Sequence, residues 1–202
     1  MRSTLAPEIR RQAQGQSTWQ LDPAYTLIEV SSRHLRLATV KRRFGSFRGT
    51  ITIDRDDPAR SSVEVAIDAA NLDTPTDTEK RRPPWTGVLD AAHYPTIRFR
   101  GRRVAVPAGA TVRPGLAFRV LGELTIRGST RDIALDAVWH GEGDEGDGPR
   151  GTRVIVFSAS ATISRQAFGL TWDEALETGG LLVGDEITVG FEVRATPQPA
   201  AA

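Results

Sequence analysis

The chain has 202 residues, with 26 basic and 25 acidic side chains and a formal net charge of +1. This length suits one large β domain with its own core, and the balanced charge gives no field to attract nucleic acid or an anionic membrane. Cysteine is absent, which excludes disulfides, thiolate zinc sites and thiol catalysis. The first 18 residues lack the apolar run of a secretory signal and no stretch approaches a membrane span, so we expect a cytoplasmic protein without a transmembrane segment.

Strand-like alternation of apolar and polar residues recurs between residues 18 and 196, which we interpret as one domain between flexible tails at 1–17 and 197–202. The alternating runs cover residues 51–54, 63–68, 97–102, 118–127, 132–140 and 187–194. A period of two with one polar face is typical of half-buried strands. About eight strands with mostly short links predict an all-β antiparallel meander that closes into a barrel or folds into a sandwich.

Segments rich in Gly, Pro and Asp separate these runs, at 55–61, 106–115, 127–131 and 141–151. They predict hairpin-type connections. The last of them is acidic but lacks the spaced ligands and closing Glu of a calcium loop, which favours a solvated loop.

Helix is scarce in this pattern. The best candidate is residues 34–43, where Leu35, Leu37 and Val40 would share one face. Short turns are expected near 78–92 and 164–178, at points where they would cap a barrel.

Residues suited to catalysis or metal binding form no recognisable motif. The three histidines, His34, His93 and His140, have no second His or carboxylate at metal-ligand spacing, and no HExxH, GxSxG or P-loop pattern occurs. The sequence therefore predicts neither an enzyme nor a metal or cofactor site. Basic clusters at 41–44, 79–82 and 98–103 lack interleaved aromatic residues for base stacking, so we expect a solvated exterior rather than a nucleic-acid site.

The apolar faces of the strands are more informative. A closed barrel of about eight strands has an interior that side chains can just fill, or that can hold one ligand. The pattern alone leaves both options open.

Seven segments of the chain, in order, resemble the YceI-like polyisoprenoid-binding family of small bacterial barrels, which are related in architecture to lipocalins. They are WQLDPAYTLIEVSSRHL (19–35), VKRRFGSFRGTI (40–51), IDAANLDT (67–74), DAAHYPTIRF (90–99), GELTIRGSTRDIAL (122–135), ISRQAFGLTW (163–172) and LVGDEITVGFEV (182–193). Each segment is weakly specific, but their shared order and spacing make the resemblance strong.

Departures from the family pattern fall at candidate sites. Tyr25 and Thr26 stand where the family has a His-Ser pair, and Arg42 stands where it favours Gly. Before DAAHYP, the stretch RRPPWTGVLD replaces a usual Arg-Asp, His-Leu and Phe pair, and Pro83 and Pro84 remove two backbone donors. We therefore expect this cap to be built differently from the family's.

The resemblance implies a closed antiparallel, lipocalin-like barrel with short capping helices and an apolar channel. The channel would bind or carry a long isoprenoid lipid, such as a polyprenyl phosphate or prenylated quinone, without catalysis and with no cofactor besides that ligand. Burial contributes about 0.8 kcal/mol per CH₂, enough over a long chain to overcome the cost of association. The alternatives are an enzyme acting on an isoprenoid-type substrate and a packed-core stress-response module. The oligomeric state is left open, with a homodimer among the options.

The expected ligand contacts are the inward-facing positions of the strands, although many of them would equally pack against one another. They are Ile28, Val30, Ile51, Ile53, Val65, Ile67, Ile97, Phe99, Phe118, Leu124, Ile126, Leu135, Trp139, Val189 and Phe191. Residues of the interrupting segments would line the mouth or fasten the caps: Phe44, Phe47, Trp85, Leu89, Phe168 and Trp172. Arg165 and Arg33 are candidates for a polar head group, with a structural role as the alternative.

Overall fold

The computed structural model describes residues 15–34, 38–73, 88–145, 151–170 and 183–198. Their strands are β1 (Gln16–Leu21), β2 (Leu27–His34), β3 (Ala38–Arg43), β4 (Phe47–Asp54), β5 (Ser62–Asp68), β6 (Thr96–Ala105), β7 (Leu116–Ile126), β8 (Ser129–Glu145), β9 (Thr152–Ser164) and β10 (Val183–Pro197). Two 3-10 turns span Pro58–Arg60 and Gln166–Phe168. Across these ranges, no helix has the length and apolar character needed to cross a bilayer.

Eight of the strands form a closed antiparallel ring in the order β1-β4-β5-β6-β7-β8-β9-β10, and the ring closes where β1 pairs with β10. Leu21 lies opposite Ala195 at this closure. The N-terminal half of β10 pairs instead with β2, where Val30 lies opposite Val189, and β3 extends from β2. The predicted closed antiparallel barrel is therefore confirmed, with two strands added to the ring.

Alternation along the strands places the polar side chains outside, as β6 illustrates. Ile97 and Phe99 are buried, whereas Arg98 and Arg100 are exposed. Gly101 follows on the inward face, where an added Cβ would lie 2.5 Å from Val120 Cγ1. A side chain at position 101 would therefore require its neighbours to shift.

The predicted connections are confirmed in part. The turn Pro58–Arg60 joins β4 to β5, and residues 106–115 join β6 to β7. Arg127 and Gly128 join β7 to β8 with φ of 48° and 73°, as a two-residue type I′ hairpin requires. The loop expected over 141–151 is wrong for its first part, because β8 continues to Glu145 and Gly143 pairs with Val154 of β9; residues 146–150 lie outside the described residues.

The predicted helix over 34–43 is wrong. His34 ends β2 and residues 38–43 form β3, with Ser32 opposite Val40 in the ladder. The β-branched Thr39 and Val40 fit a strand well, and the edge of β2 provides hydrogen-bond partners that an isolated short helix would lack. Leu35 and Leu37 lie outside the described residues. Of the expected turn at 164–178, the described part contains the short 3-10 turn Gln166–Phe168.

Candidate functional site

Two apolar cavities lie inside the described part of the barrel, at different heights along β10. The larger, of about 330 Å³, contacts Phe191 and Val193 on the C-terminal half of this strand. The smaller, of about 70 Å³, contacts Ile187 and Val189 on the N-terminal half, and Phe191 near the middle of the strand contacts both. The larger volume falls within the range of about 300–1,000 Å³ that is usual for small-molecule sites.

The larger cavity is walled by inward-facing side chains of the closed ring. Phe118 of β7 and Phe157 of β9 meet edge to face, with ring centroids 6.1 Å apart. Ala137 of β8 and Ala159 of β9 lie opposite each other, and the neighbouring strands carry Phe118 and Phe191 beside them. Small side chains at these two positions leave the space that the cavity occupies.

The rim of the larger cavity is charged. Asp54, Arg55 and Glu142 line it, and Arg55 Nη2 lies 2.7 Å from Glu142 Oε2. Arg55 follows β4 and Glu142 belongs to β8, two strands that stand opposite each other in the ring, so this ion pair crosses the opening. Glu142 also contacts Arg153 of β9.

Asp54 is held at this rim by backbone donors. Its carboxylate accepts hydrogen bonds from the amides of Asp57 at 2.9 Å and Asp56 at 3.1 Å, and from Gln16 Nε2 at 3.2 Å. These bonds, the one from Asp57 foremost, lower the pKa of Asp54 below its ordinary value. The carboxylate thus anchors the turn that follows β4.

The smaller cavity is lined almost entirely by apolar atoms, with two buried polar residues in its wall. Arg42 is 6% exposed and one of its guanidinium nitrogens, Nη1, donates to the Lys41 carbonyl at 2.9 Å, while Ser32 is 7% exposed. Leu72, Leu89 and Leu170, which lie outside the named strands, line the same cavity. The position where the family pattern favours Gly is therefore an inward-facing Arg in this chain.

Three side chains line both cavities and separate them: Phe99 of β6, Leu135 of β8 and Phe191 of β10. We call them the partition. Phe99 and Leu135 are buried, and Phe191 is half-buried. An apolar chain could fill both cavities at once only if these side chains moved.

Most of the sequence-predicted residues line one or both cavities. Those at the smaller cavity are Val30, Phe44, Ile67, Leu89, Ile97, Leu124, Ile126 and Val189, and those at the larger are Ile51, Ile53, Val65, Phe118 and Trp139, with the partition residues at both. Whether a ligand touches them remains a prediction.

Other predicted residues lie elsewhere. Ile28 and Phe168 are buried in the core, and Phe47 is half-buried against it, but none of the three lines either cavity. Trp85 and Trp172 lie outside the described residues. So do the side chain of Arg33 and the Pro83–Pro84 segment.

Arg165, a head-group candidate, lies outside both cavities and supports a turn. Its Nη1 donates to the Leu170 carbonyl at 2.7 Å and its Nε to the Gly184 carbonyl at 3.2 Å. The adjoining Asp185 accepts a hydrogen bond from Ser164, which is the main cause of its lowered pKa. These contacts fit the structural alternative for Arg165.

Strand β9 supplies lining residues that the sequence reasoning missed. Ile155, Phe157 and Ala159 line the larger cavity and Ile163 the smaller. The signal was present, because these residues alternate with Ser and Thr over residues 155–163. The outward positions of this stretch carry Val156, Ser158, Ser160 and Thr162, which contrast less in polarity with the inward residues than the charged residues of β6 do.

The departure at Tyr25 and Thr26 has a structural role. Thr26 Oγ1 donates to the Arg194 carbonyl at 2.9 Å and accepts from the Arg194 amide at 3.1 Å. The Arg194 guanidinium lies 4.0 Å from the centroid of the exposed Tyr25 ring. Both residues thus fasten the β1–β2 connection to β10, away from the cavities.

No group of three or more His, Asp or Glu side chains suited to a metal ion occurs among the described residues. The imidazole of His93 contacts Asp90 at 2.7 Å, and that of His140 contacts Ser158 at 2.7 Å. Both contacts are exposed, on the outside of the barrel. The absence of a bound metal remains a prediction.

Comparison with known proteins places this geometry among similar barrels. Residues 19–195 match the YceI-like domain family. A UPF0312 protein of Serratia proteamaculans is 28% identical over 171 residues, covering 85% of this chain and 80% of the relative. A UPF0312 protein of Staphylococcus aureus is 24% identical over 172 residues, covering 85% and 92%.

Solved structures share the fold. BcnA of Burkholderia cenocepacia superposes with a TM-score of 0.66 at 23% identity, covering 87% of this chain and 99% of BcnA. A polyisoprenoid binding domain from Saccharophagus degradans, implicated in plant cell wall breakdown, gives a TM-score of 0.56 at 16% identity, covering 89% and 98%. At these identities the likeness concerns the barrel alone.

Proposed function

We propose, from the premise that this chain belongs to the YceI-like domain family, that it binds a long-chain isoprenoid lipid inside the barrel without catalysing a reaction. A polyprenyl phosphate or a prenylated quinone is the expected ligand. The observation that carries the proposal is the apolar interior with its two cavities, the larger of about 330 Å³. A relative of the same fold that is a polyisoprenoid binding domain supports the ligand class.

Hydrophobic burial would supply the affinity. The walls of both cavities are built from aliphatic and aromatic side chains, including Phe118, Phe157 and Ile163. A hydrocarbon chain gains about 0.8 kcal/mol for each buried CH₂ and needs no hydrogen-bond partner. An isoprenoid tail therefore suits this interior better than a polar ligand, which would lose its bonds to water without replacement.

The charged rim suits the polar end of such a lipid. Arg55 is half-exposed and is held by Glu142 across the opening of the larger cavity. A quinone oxygen at this level would meet the Arg55 guanidinium and the hydroxyls of Ser61 and Ser62, which also line the cavity, whereas a phosphate would lie beside the carboxylates of Asp54 and Glu142 as well. We therefore assign the head group to this rim rather than to Arg165.

The cavities favour a ligand-binding role over a packed-core module, because a fully packed interior would leave no space of this size. For an enzyme acting on an isoprenoid, a polar constellation would have to face the interior. The polar residues that line the larger cavity lie at its rim, where Asp54 and Glu142 are engaged by hydrogen bonds and ion pairs. This arrangement supports binding without turnover.

Organic extraction of the purified protein, followed by mass spectrometry, tests the proposal. We expect a long apolar isoprenoid at a stoichiometry approaching one per chain. The same extraction after incubation with added isoprenoid would recover it unchanged. Protein that contains no lipid and retains none when it is offered would refute the proposal, and a chemically altered product would indicate an enzyme.

A further inference from the structure

The partition between the two cavities consists of one side chain from each of three alternate strands. Phe99, Leu135 and Phe191 come from β6, β8 and β10, which are separated in the ring by β7 and β9. Each of the three contacts both cavities. An apolar chain that runs the length of the interior must cross this layer.

Phe191 lies in a row of inward-facing positions with small residues beside it. Pairing across β10, β9, β8 and β7 aligns Phe191, Ala159, Ala137 and Phe118 in succession. Both alanines line the larger cavity. Because two methyl groups stand between two phenyl rings, the wall beside Phe191 has room for its ring.

The partition residues differ in how firmly they are held. Phe99 is only 3% exposed. Its ring packs close to Gly101, since a Cβ on that glycine would lie 3.2 Å from Phe99 Cε1 and within 2.7 Å of Val63 and Val120. All three partition residues border both cavities, but Phe191 is only half-buried, so a larger part of its side chain has no packed neighbour. A side chain beside a void lacks partner atoms there and loses few contacts when it changes rotamer.

We propose that Phe191 is an internal gate that sets the length of apolar chain that the barrel accepts. The inference rests on the proposed function and concerns its specificity. With the ring in its present position, a short chain occupies the larger cavity alone. A long chain reaches the smaller cavity when the ring turns toward Ala159, so its binding bears the free-energy cost of that displacement and short chains bind without it.

Competition between two isoprenoid alcohols tests the gate. Each protein is incubated with an equimolar mixture of farnesol, a short alcohol, and solanesol, a long one, both supplied from cyclodextrin. The protein is then re-isolated and the bound alcohols are quantified by mass spectrometry. Phe191→Ala should raise the bound ratio of solanesol to farnesol by about tenfold, the effect typical of a small change in an apolar pocket.

Phe118→Ala is the matched control. It removes the same atoms from the same row, but of the two cavities it lines only the larger, which short and long chains would both occupy, so it should alter the binding of both alcohols and raise their ratio less than Phe191→Ala does. A ratio that rises no more in Phe191→Ala than in Phe118→Ala would overturn the gate. Phe191→Leu provides the same comparison if the alanine variant does not fold.

A substitution that fills the space beside Phe191 should have the opposite effect on the bound ratio. Ala159→Leu occupies the space into which the ring would turn, so the bound ratio of solanesol to farnesol should fall below that of the wild type. An unchanged or raised ratio would contradict the proposed direction of movement.

Failure of the gate is distinguishable from failure of the proposed function. Wild-type protein that binds neither alcohol contradicts both proposals, whereas equal binding of both alcohols by every variant contradicts the gate alone.

Discussion

The two ends of the barrel are closed by different kinds of structure. At the larger cavity the ring is closed by backbone hydrogen bonds between β1 and β10, with Leu21 opposite Ala195. At the smaller cavity β2 takes the place of β1 beside β10, and leucines from the connections, among them Leu72 and Leu170, complete the wall. The larger cavity is therefore closed by main-chain pairing of two strands, whereas the smaller one is closed by side chains of the connections.

The two cavities also differ in the polarity of the residues around them. The larger cavity opens between Arg55 and Glu142, which meet across the ring. The smaller cavity is lined almost entirely by apolar atoms, although the buried Arg42 and Ser32 belong to its wall. An amphipathic ligand would thus find a charged entrance at one end and an apolar end point at the other.

The largest expected effect follows from a charge placed between the two cavities. Phe99→Asp should abolish lipid binding, because an unpaired carboxylate in apolar surroundings costs several kcal/mol and would stand where the hydrocarbon lies. Bound lipid is measured by extraction from folded protein only, as judged by circular dichroism. Arg100→Asp, on the outer face of the same strand, is the control and should retain lipid. Equal lipid in the two variants would contradict an apolar ligand path past Phe99.

Protein stability should be more sensitive to truncation of a side chain at the β1–β10 closure than to truncation of one in the cavity wall. Trp19 on β1 is 1% exposed, packs with Ile155 and Ala195, and donates from Nε1 to Ser17 Oγ at 2.9 Å. Trp19→Ala should lower the free energy of unfolding by about 3–5 kcal/mol, as measured by urea denaturation.

Trp139 provides the comparison for that variant. It is half-buried and faces the larger cavity, so Trp139→Ala removes fewer contacts and should cost about 1–2 kcal/mol. Equal losses for the two variants would mean that the β1–β10 closure contributes no more to stability than the cavity wall.

Close packing beside the larger cavity gives a smaller effect. A Cβ on Gly101 would lie 2.5 Å from Val120 Cγ1 and 2.7 Å from Val63 Cγ1, so Gly101→Ala should cost about 1–3 kcal/mol through overpacking. At Gly143 a Cβ would meet nothing within 4 Å, and Gly143→Ala should change stability by no more than about 0.5 kcal/mol. Thermal denaturation of both variants checks this difference, and matching melting temperatures would refute it.

The smallest effect concerns pH at the charged rim. The pKa of Asp54 is lowered in the folded protein by hydrogen bonds to its carboxylate, so its contribution to stability is complete above the unfolded value of about 3.9. That contribution is lost as pH falls through the lower folded pKa. Asp54→Asn should therefore melt below the wild type near neutral pH, and the gap should narrow in acid. A gap that stays constant as pH falls would contradict this role.

Much of the barrel follows from sequence because its strands carry charges on one face. The Arg98–Arg100 alternation around Phe99 predicts which side chains point inward, and the structure confirms this phase. The segment 34–43 misled because Leu35, Leu37 and Val40 also fit a helical period, and only pairing with β2, a tertiary contact, makes residues 38–43 a strand.

The sequence predicts which face of each strand points inward, but it does not predict which inward residues line a cavity. Which inward residues border empty space depends on volumes summed across strands, as for Ala137 and Ala159 between Phe118 and Phe191. The ion pair of Arg55 with Glu142 joins positions 87 residues apart. No local pattern signals such contacts, since they arise only when the ring closes.

The most direct test of the central claim is photo-crosslinking with a farnesol analogue that carries a diazirine on its hydrocarbon tail, followed by peptide mapping. Occupation of the barrel interior predicts labels on the inward-facing residues of the larger cavity, such as Phe157 of β9 and Trp139 of β8, and competition by unlabelled farnesol. Labels confined to outward-facing positions such as Ser160 and Arg100, unaffected by competition, would contradict a ligand held inside the barrel.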